Sequence, residues 1–438
     1  MADVRPFRGV TFDPARVELS AALCPPYDVI SPVQQSAYYE RDPHNVVRII
    51  LNRAEGPARY AEAALALRSW TEEGTLLRDP EPAFYVHRQG FQMQSAAGER
   101  RVSRLGLLAA VRLEPWSSGA VLPHEHTMPG PKQDRLDLMR ATGADTEPIW
   151  VFHPDPGRRL LRLLEFIAAT PPTLTAQFSP VAAVAAEVVS ETHELWRVTE
   201  PDTVRSIAAA ASAVQLYIAD GHHRYETALV HAEEMGGGLD DASRFKLMLL
   251  SAAEDPGLLV LPTHRLLRLR APYNLGRFLG ELRTWGWLTE QPATLADLES
   301  RLAGPAAPGA LGVGLVAEGR LSYLEGAVPP EHLAELAPSI RDLDVGLLHQ
   351  GVLAPLLGFG AQQLAEGRDI AYSRDTAEVV ELVRRGEYDA GILTRAPSLA
   401  QVQAVADAGE NMPQKSTYFW PKPASGLVMM PQGAREHL

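Results

Sequence analysis

The sequence predicts a mixed α/β protein of the α+β class with two domains. Its 438 residues exceed the length of a chain that usually folds around a single hydrophobic core. Its composition, 46% hydrophobic and 22% charged, is typical of a globular chain. Apolar segments of strand length alternate with amphipathic helical segments throughout. We expect a first domain over residues 1–270 and a smaller α/β domain over residues 271–438.

The first domain is expected to be organised around a polar turn between a strand and a helix. Residues 214–219 are apolar apart from Gln215 and predict a short buried strand, whereas residues 225–235 carry apolar side chains at helical spacing. The free N–H groups at the helix start, the permissive backbone of Gly221 and the guanidinium of Arg224 predict an anion site, with phosphate the favoured ligand.

The same turn carries three side chains suited to proton transfer or metal binding. Asp220, His222 and His223 could act as base, acid or metal ligand, and we treat them as candidate catalytic residues. The alternative is that Asp220 caps the helix and that the histidines only satisfy backbone groups. Two adjacent histidines followed by an arginine favour the ligand site.

Near the N-terminus, two prolines lead into Tyr27 and Asp28 and predict a rigid corner. Ser31 followed by Pro32 predicts a helix start, with the hydroxyl as N-cap and proline in the first turn. Tyr27 and Asp28 are candidate substrate-binding residues, although a carboxylate at such a corner is more often a turn cap. Residues 45–51 predict a buried strand.

Further elements follow from periodicity and turn residues. Helices are predicted at 58–73, 154–175, 203–213, 273–284, 295–302, 344–352 and 376–386. Strands are predicted at 84–88, 101–114, 178–196, 258–261, 312–316, 321–325, 370–372 and 390–393.

The loop over residues 121–135 is dense in polar chemistry and is costly to order for packing alone, which indicates a functional loop. His124 and His126 could share one metal ion, with Glu125 between them. No third ligand is marked by spacing and the helical two-histidine zinc signature is absent, which disfavours zinc and favours Mg²⁺ held partly by substrate phosphates. These three are candidate substrate-binding residues, and Lys132 and Arg135 candidate phosphate-binding residues.

Two later stretches add candidates. His264 follows a predicted strand, where α/β enzymes often place ligand groups, although a solvated strand exit is the alternative. Lys415, Ser416 and Thr417 bring an ammonium and two hydroxyls together, a set that suits phosphate or a carboxylate. The glycine-rich half of a P-loop is missing, so this is no Walker A motif. A solvated loop is the alternative.

Charge and composition exclude some classes of protein. A net charge of −13 disfavours nucleic-acid binding as the main function. The sequence has no run of about 18 apolar residues, so no membrane span is expected, and the N-terminus lacks an apolar signal core. Cys24 is the only cysteine, so a reducing cytoplasm is the expected location.

Lysine is scarce in this chain. Lys132, Lys246, Lys415 and Lys422 are the four lysines among 41 basic residues, the rest being arginines. The few lysines are therefore expected at positions that need a compact, mobile ammonium. The alternative is that these four lysines were retained by chance. We predict that Lys132 and Lys415 lie in the same cleft as Arg224.

Six stretches together resemble one family. They are residues 25–31 (PPYDVIS), 45–48 (NVVR), 124–127 (HEHT), 132–135 (KQDR), 219–224 (ADGHHR) and 412–417 (MPQKST). The family they resemble is the bacterial and archaeal domain of unknown function 1015, a resemblance that spans nearly the whole chain but implies little about function.

The first domain is also similar to the ParB/sulfiredoxin-like superfamily, through Tyr27, Asp28 and the turn from Asp220 to Arg224. Members of that superfamily bind nucleotides at this turn. Some are partition proteins that bind DNA and hydrolyse CTP, sulfiredoxin uses ATP, and one branch phosphorylates free serine. The serine kinases carry a similar Asp-Gly-His-x-Arg turn.

That similarity implies a fold and a set of roles. It implies a ParB/sulfiredoxin-like N-terminal domain with a large insertion, at about residues 53–212, and an additional C-terminal domain. It implies Asp220 as base or metal partner, and Gly221, His222 and Arg224 as the phosphate cradle.

The leading hypothesis is a kinase-like phosphotransferase that uses ATP or ADP, with Mg²⁺ as a candidate cofactor. Its substrate would be a small hydroxylated metabolite, with serine or O-phosphoserine the first candidate. One alternative is a metal-dependent hydrolase, including a phosphatase, built on His124, His126, Asp220 and His222. Another is a switch-like nucleotide binder related to partition proteins. The nucleotide, the acceptor, the direction of reaction and the oligomeric state are left open.

Overall fold

The computed structural model describes residues 1–438 except 96–97, 126, 128, 182–189, 305, 308, 335, 361–362, 364–366, 414 and 433–437. The chain forms two compact units. The first unit contains Met1–Pro123, Thr127–Leu259 and Pro421–Leu438, and the second contains His124–His126 and Val260–Trp420. The units differ from the expected domains in that the chain leaves the first unit at Leu259 and returns to it at Pro421.

Nine strands of the described chain form the sheet of the first unit. From one edge their order is Val121–Leu122, Leu216–Asp220, Ile149–His153, Phe245–Ala252, Gly98–Arg112, Phe84–Ser95, Glu191–Val198 and Leu174–Phe178, and Val4–Arg5 also pairs with Gly98–Arg112. Pairs in this sheet are both parallel and antiparallel. Several of its strands come from residues 53–212, so the expected insertion is an integral part of the sheet.

The sheet positions a buried strand next to the predicted turn. Leu216–Asp220 lies between Val121–Leu122, which runs parallel to it, and Ile149–His153, which runs antiparallel. The pairing register with Ile149–His153 shifts between Ile218 and Asp220. Such irregularities re-aim side chains at the end of a strand.

Alternation along the strands divides the side chains between two faces. Ile149, Leu216 and Ile218 belong to a core with Leu160 and Ile207, which lie on two helices of the same unit. Trp150, Phe152 and Tyr217 alternate with these residues along the strands and so lie on the opposite face of the sheet. The rings of Phe152 and Tyr217 stack with centroids 5.2 Å apart.

The α-helices of the first unit include the predicted helix after the polar turn. They are Leu19–Ala22, Pro32–Arg41, Val47–Ile50, Ala58–Glu72, Pro129–Thr142, Arg159–Ile167, Pro201–Ala211 and His222–Met235. Short 3₁₀ segments are Tyr27–Val29, Trp116–Ser118 and Ala242–Arg244. Two further strand pairs are Val10–Phe12 with Leu76–Arg78 and Ala144–Asp145 with Met430–Pro431.

The N-terminal region confirms one local prediction and corrects another. Ser31 caps the helix Pro32–Arg41, accepting a hydrogen bond from the N–H of Gln34, whose side chain bonds back to Ser31. The prediction of a strand at residues 45–51 is wrong, because Val47–Ile50 is helical. The Asn45 side chain accepts from the Val47 N–H at 3.0 Å and donates to two backbone carbonyls, and so short an apolar run does not separate strand from helix by periodicity.

Six strands of the described chain form an antiparallel sheet in the second unit. Their order is Leu288–Glu290, Arg320–Gly326, Leu311–Ala317, Ala390–Leu393, His264–Leu267 and Ile370–Ser373. The helical segments are Leu275–Thr284, Leu295–Ala303, Pro330–His332, Pro338–Arg341, Asp344–Gly346, the π-helical Leu347–Leu353, Ala354–Leu357, Thr376–Arg384 and Leu399–Asp407. The remaining strands are Leu259–Leu261 and Tyr418–Trp420.

Both faces of the second sheet are covered. Leu315 packs in a core with Phe278 and Leu282, whereas the next residue, Val316, packs with Leu298 on the other face. Each unit combines helices with a sheet, which is mixed in the first unit and antiparallel in the second. This combination confirms the predicted α+β class. No helix within the described ranges has both the length and the apolar character needed to cross a membrane.

Candidate functional site

The turn between Leu216–Asp220 and His222–Met235 depends on a glycine. Gly221 has φ +105°, a left-handed conformation that side-chain-bearing residues rarely adopt. A Cβ at this position would also lie 3.1 Å from Nε of Arg224. Glycine therefore allows both the backbone turn and the packing of Arg224 against it.

Two cations contact the carboxylate of Asp220. Arg224 Nη2 lies 2.5 Å from Oδ2, and Lys422 Nζ lies 2.7 Å from Oδ1. The Lys422 ammonium is also 2.5 Å from Oδ2 of Asp28. We call these four residues, Asp28, Asp220, Arg224 and Lys422, the Asp220 cluster. It places two carboxylates around one ammonium at the start of a helix.

Arg224 is buried and faces the protein. Its Nη1 donates to the carbonyl of Pro148 at 2.7 Å, while Nη2 contacts Asp220. Burial alone would lower the pKa of this guanidinium, but Asp220, with smaller contributions from Glu147 and Asp28, raises it. Arg224 therefore remains charged and fixes the orientation of Asp220.

Glu147 joins the predicted corner to the cluster. Its carboxylate accepts from the Tyr27 N–H at 3.1 Å, from the Ser425 hydroxyl at 3.2 Å and from Arg135 at 3.4 Å. The guanidinium carbon of Arg135 lies 3.9 Å from the centroid of the Tyr27 ring, and burial raises the pKa of Tyr27. These contacts hold Tyr27, the neighbour of Asp28, in place.

A small cavity lies beneath these residues. Its volume is about 20 Å³, enough for one water molecule. Its lining includes Arg135, Asp145, Glu147, Arg224 and Lys246. Lys246 is buried in an ion pair with Asp145, whose other oxygen accepts from the Leu247 N–H. The floor of the site is thus a network of paired charges.

Lys422 is fixed through its backbone as well. Arg104 Nη2 donates to the carbonyl of Pro421 at 2.9 Å, and Gln89 Nε2 donates to the carbonyl of Lys422 at 3.2 Å. The Arg104 guanidinium lies over the ring of Trp150, with Cζ 3.9 Å from its centroid. The strands Phe84–Ser95 and Gly98–Arg112 therefore anchor the segment that carries Lys422.

Lys132, predicted to share a cleft with Arg224, lies on the helix Pro129–Thr142 and contacts the helix His222–Met235 away from Asp220. Its ammonium pairs with Glu226, which also accepts from the Thr127 hydroxyl at 2.7 Å. Burial would raise the pKa of Glu226, but Lys132 and Thr127 lower it. Lys132 pairs with Glu226, whereas Asp220 pairs with Arg224. Residues two apart on a helix do not face each other, so Lys132 and Asp220 approach different sides of this helix.

His222 and His223 lie in the first turn of the same helix, which begins three residues before the helix predicted at residues 225–235. His222 is buried and His223 is half-buried. The carbonyl of His223 accepts from the Thr227 hydroxyl at 2.7 Å.

A second group of predicted residues comes together in the second unit. His124 Nε2 lies 3.0 Å from the Thr417 hydroxyl, which also lies 3.4 Å from Oε1 of Glu125. His126 lies outside the described residues. Lys415 is exposed, with φ +57°, and Ser416 is buried, its hydroxyl donating to the carbonyl of Pro413.

His264 is buried in the second unit. Its Nδ1 accepts from the Thr394 N–H at 3.2 Å. Burial, with nearby Arg265 adding to the effect, lowers the pKa of His264 to about 4. The imidazole is therefore neutral at pH 7.

Two residues of the first site were missed by the sequence interpretation. Lys422 carried a usable signal, since it is one of only four lysines. Glu147 carried none, because a single glutamate between Thr146 and Pro148 has no motif around it. Across the ranges that the structure describes, no group of three or more His, Cys, Asp or Glu side chains is arranged to hold a metal ion.

The fold and the Asp220 cluster define a class: an α+β protein with paired carboxylates and cations at a strand-to-helix turn. Within that class, the chain belongs to the family described as protein of unknown function DUF1015, whose model matches residues 4–345. The matched range contains the turn, Tyr27, Asp28 and the loop with His124, and it ends before Lys415 and Lys422.

Several solved structures are distantly similar. The free serine kinase in complex with AMP is 13% identical, with 68% of this chain and 83% of that chain covered at a TM-score of 0.33. A variant of that kinase in complex with ADP is 12% identical, with 68% and 84% covered and a TM-score of 0.34. SbnI with C-terminal truncation from Staphylococcus aureus is 11% identical, with 72% and 85% covered and a TM-score of 0.34. No curated protein sequence matches the chain. These similarities are too distant to assign a function.

Proposed function

We propose that the protein transfers a phosphoryl group between a nucleotide and the hydroxyl of a small metabolite. The observation that supports this proposal is the Asp220 cluster, in which one ammonium and one guanidinium contact a carboxylate at a helix start. Phosphoryl transfer consists mostly of positioning and charge neutralisation, and these are the groups it uses. ATP or ADP is the proposed nucleotide and serine the first acceptor to test, with O-phosphoserine as the product, or as the donor if the reaction runs in reverse, following the similarity of the turn to that of the serine kinases.

The proposed roles follow from the contacts of each residue. The helix N–H groups near Gly221 and the ammonium of Lys422 bind the transferred phosphoryl group. Arg224 and Lys422 each contact one oxygen of Asp220, so Asp220 holds both cations in position. Asp28 contacts Lys422 through Oδ2 and is the more exposed carboxylate, with 39% of its side chain accessible against 19% for Asp220.

In the proposed reaction, the acceptor oxygen forms a bond to the phosphorus as the bond to the nucleotide's bridging oxygen breaks. The hydroxyl proton passes to a carboxylate of the cluster, and the nucleotide leaves with one phosphate fewer. Mg²⁺ fits such a site, since it needs only one or two carboxylates beside the substrate phosphates and would neutralise their charge. Of the other predicted residues in the first unit, His222 and His223 stay candidates for nucleotide or acceptor contacts.

The test compares the wild-type protein with Asp220→Asn in single-turnover transfer and in nucleotide binding. Asn keeps the size of the side chain but removes the charge that holds Arg224 and Lys422, so we expect transfer to fall by at least about a hundredfold. Nucleotide binding should remain within about threefold of wild type, since the helix start and both cations are retained.

Asp202→Asn is the control for this test. Asp202 is exposed on another helix of the same unit and pairs with Arg205. This variant should leave transfer unchanged. An Asp220→Asn protein with full turnover would contradict the proposal. Phosphate release that needs no acceptor would instead indicate a hydrolase.

A further inference from the structure

Arg265 in the second unit is a buried cation whose hydrogen-bond partners are all neutral. Only 1% of the residue is exposed. Its Nε donates to Nε2 of His349 at 2.9 Å, Nη1 donates to the carbonyl of Thr263 and lies 3.4 Å from the Thr394 hydroxyl, and Nη2 lies 3.4 Å from the carbonyl of Lys415. No carboxylate from the described ranges is among these partners.

His349 adds a buried donor to the same place. Because its Nε2 accepts from Arg265, the neutral ring carries its proton on Nδ1. Nδ1 is buried and has no hydrogen-bond partner among the described residues. His349 itself is 1% exposed and lies in the π-helical segment Leu347–Leu353. Segments of this kind are frequent at functional sites.

Among the described residues, the guanidinium of Arg265 has no negatively charged hydrogen-bond partner, and Nδ1 of His349 has no hydrogen-bond partner. A buried charge is normally paired, and a buried donor is normally bonded, because leaving either without a complement is costly. Burial lowers the pKa of Arg265 to about 10, which is still well above neutrality, so the guanidinium carries its charge at pH 7. The missing complement is a negatively charged acceptor.

The contact with Lys415 is where such an acceptor could enter. Its carbonyl is 3.4 Å from Nη2, at the long limit of a hydrogen bond. Lys415 is exposed and has the left-handed φ of +57°, which is uncommon for a residue with a side chain. A charged oxygen at this position would form a shorter and stronger contact than the carbonyl does.

We propose that Arg265 and His349 bind a small oxyanion, with a phosphate group the preferred ligand, which replaces the carbonyl of Lys415 at Nη2. Phosphate supplies two negative charges and enough acceptors for both Nη2 of Arg265 and Nδ1 of His349. A carboxylate is the weaker ligand because it has a single charge. The site belongs to the second unit alone and does not depend on the proposed phosphoryl transfer.

The experiment follows the histidine side chains of the full-length protein by ¹⁵N NMR during titration with inorganic phosphate and, separately, with acetate. A His349→Gln variant assigns the His349 signal. We expect phosphate to shift this signal in a saturable manner, with acetate at least about tenfold weaker. The same titration in Asp220→Asn should be unchanged, which separates this site from the Asp220 cluster.

Two arginine variants complete the test. Arg265→Met should abolish the response, whereas Arg265→Lys should weaken it by about tenfold, since lysine keeps the charge but not the fork of donors. Arg395→Met is the matched control, because Arg395 lies in the same unit but already pairs with Asp344 at 2.6 Å. A wild-type protein whose His349 signal does not respond to phosphate would overturn the proposal, even if Arg265→Met does not fold. An equal response in wild type and Arg265→Met would also overturn it.

Discussion

Lys422 contacts the carboxylates of Asp28 and Asp220 with one ammonium group, and only 8% of its side chain is exposed. A lysine so placed separates two negative charges that would otherwise repel each other. Its three N–H donors can also redirect toward a phosphate without moving the backbone. At the scale of single residues, Lys422 is therefore the cation of the cluster best suited to follow a ligand.

Lys422→Met should lower nucleotide affinity by about tenfold to a hundredfold, the loss expected for one charge-assisted contact. Lys132→Met should change it by less than about threefold, because Lys132 pairs with Glu226 at another side of the helix. Calorimetric titration of both variants with ADP measures this difference. The opposite order of effects would support the sequence-based assignment of Lys132 to the phosphate site.

The helix His222–Met235 has a left-handed glycine at each end. Gly221 has φ +105° and Gly236 has φ +61°. The two differ in their surroundings, because a Cβ at Gly221 would meet Arg224 at 3.1 Å whereas a Cβ at Gly236 would meet no atom within 4 Å. At the scale of the element, substitutions at both glycines test the stability lost through the backbone conformation, whereas a substitution at Gly221 alone also disturbs the packing of Arg224.

Gly221→Ala and Gly236→Ala should each lose about 1–2 kcal/mol of stability, since both force alanine into a left-handed conformation. Gly221→Ala should in addition displace Arg224 and weaken nucleotide binding, whereas Gly236→Ala should leave binding unchanged. Urea unfolding and ADP titration of the two variants distinguish these effects. Equal binding in both would show that Arg224 is not positioned by the turn.

Buried histidines occur in both units. Burial lowers the pKa of His264 to about 4, and it holds the pKa values of His87 and His349 well below their usual range. An unfolded histidine titrates near about pH 6.5. Below that pH the unfolded chain binds protons that the folded chain does not, so these residues make the whole molecule less stable as pH falls toward the folded pKa values.

The free energy of unfolding should therefore decrease between pH 7 and pH 5, with His264 alone contributing about 2 kcal/mol. Urea unfolding of wild type and His264→Asn at both pH values tests this. The asparagine carbonyl can still accept from the Thr394 N–H but does not titrate, so the variant should lose about 2 kcal/mol less over this interval. The same loss in both proteins would contradict the prediction.

The sequence by itself determined the features that depend on neighbouring residues. The strand before Asp220, the glycine turn, the helix after it and the Ser31 cap were all predicted, because side-chain periodicity and local hydrogen bonds are encoded within a few residues. Strands at the positions of Phe84–Ser95 and Gly98–Arg112 were predicted for the same reason, although with shorter bounds. The α+β class followed from these local elements.

Only the tertiary structure decided which distant residues meet. The return of Pro421–Leu438 to the first unit brings Lys422 to Asp28 and Asp220, and no local signal encodes that return. Likewise, His124 and Thr417 meet in the second unit. The helix Val47–Ile50 replaced a predicted strand because Asn45 bonds to the backbone of residues far from it in sequence. Contacts of this kind depend on the path of the whole chain, since ion pairs and buried hydrogen bonds form wherever packing brings their partners together.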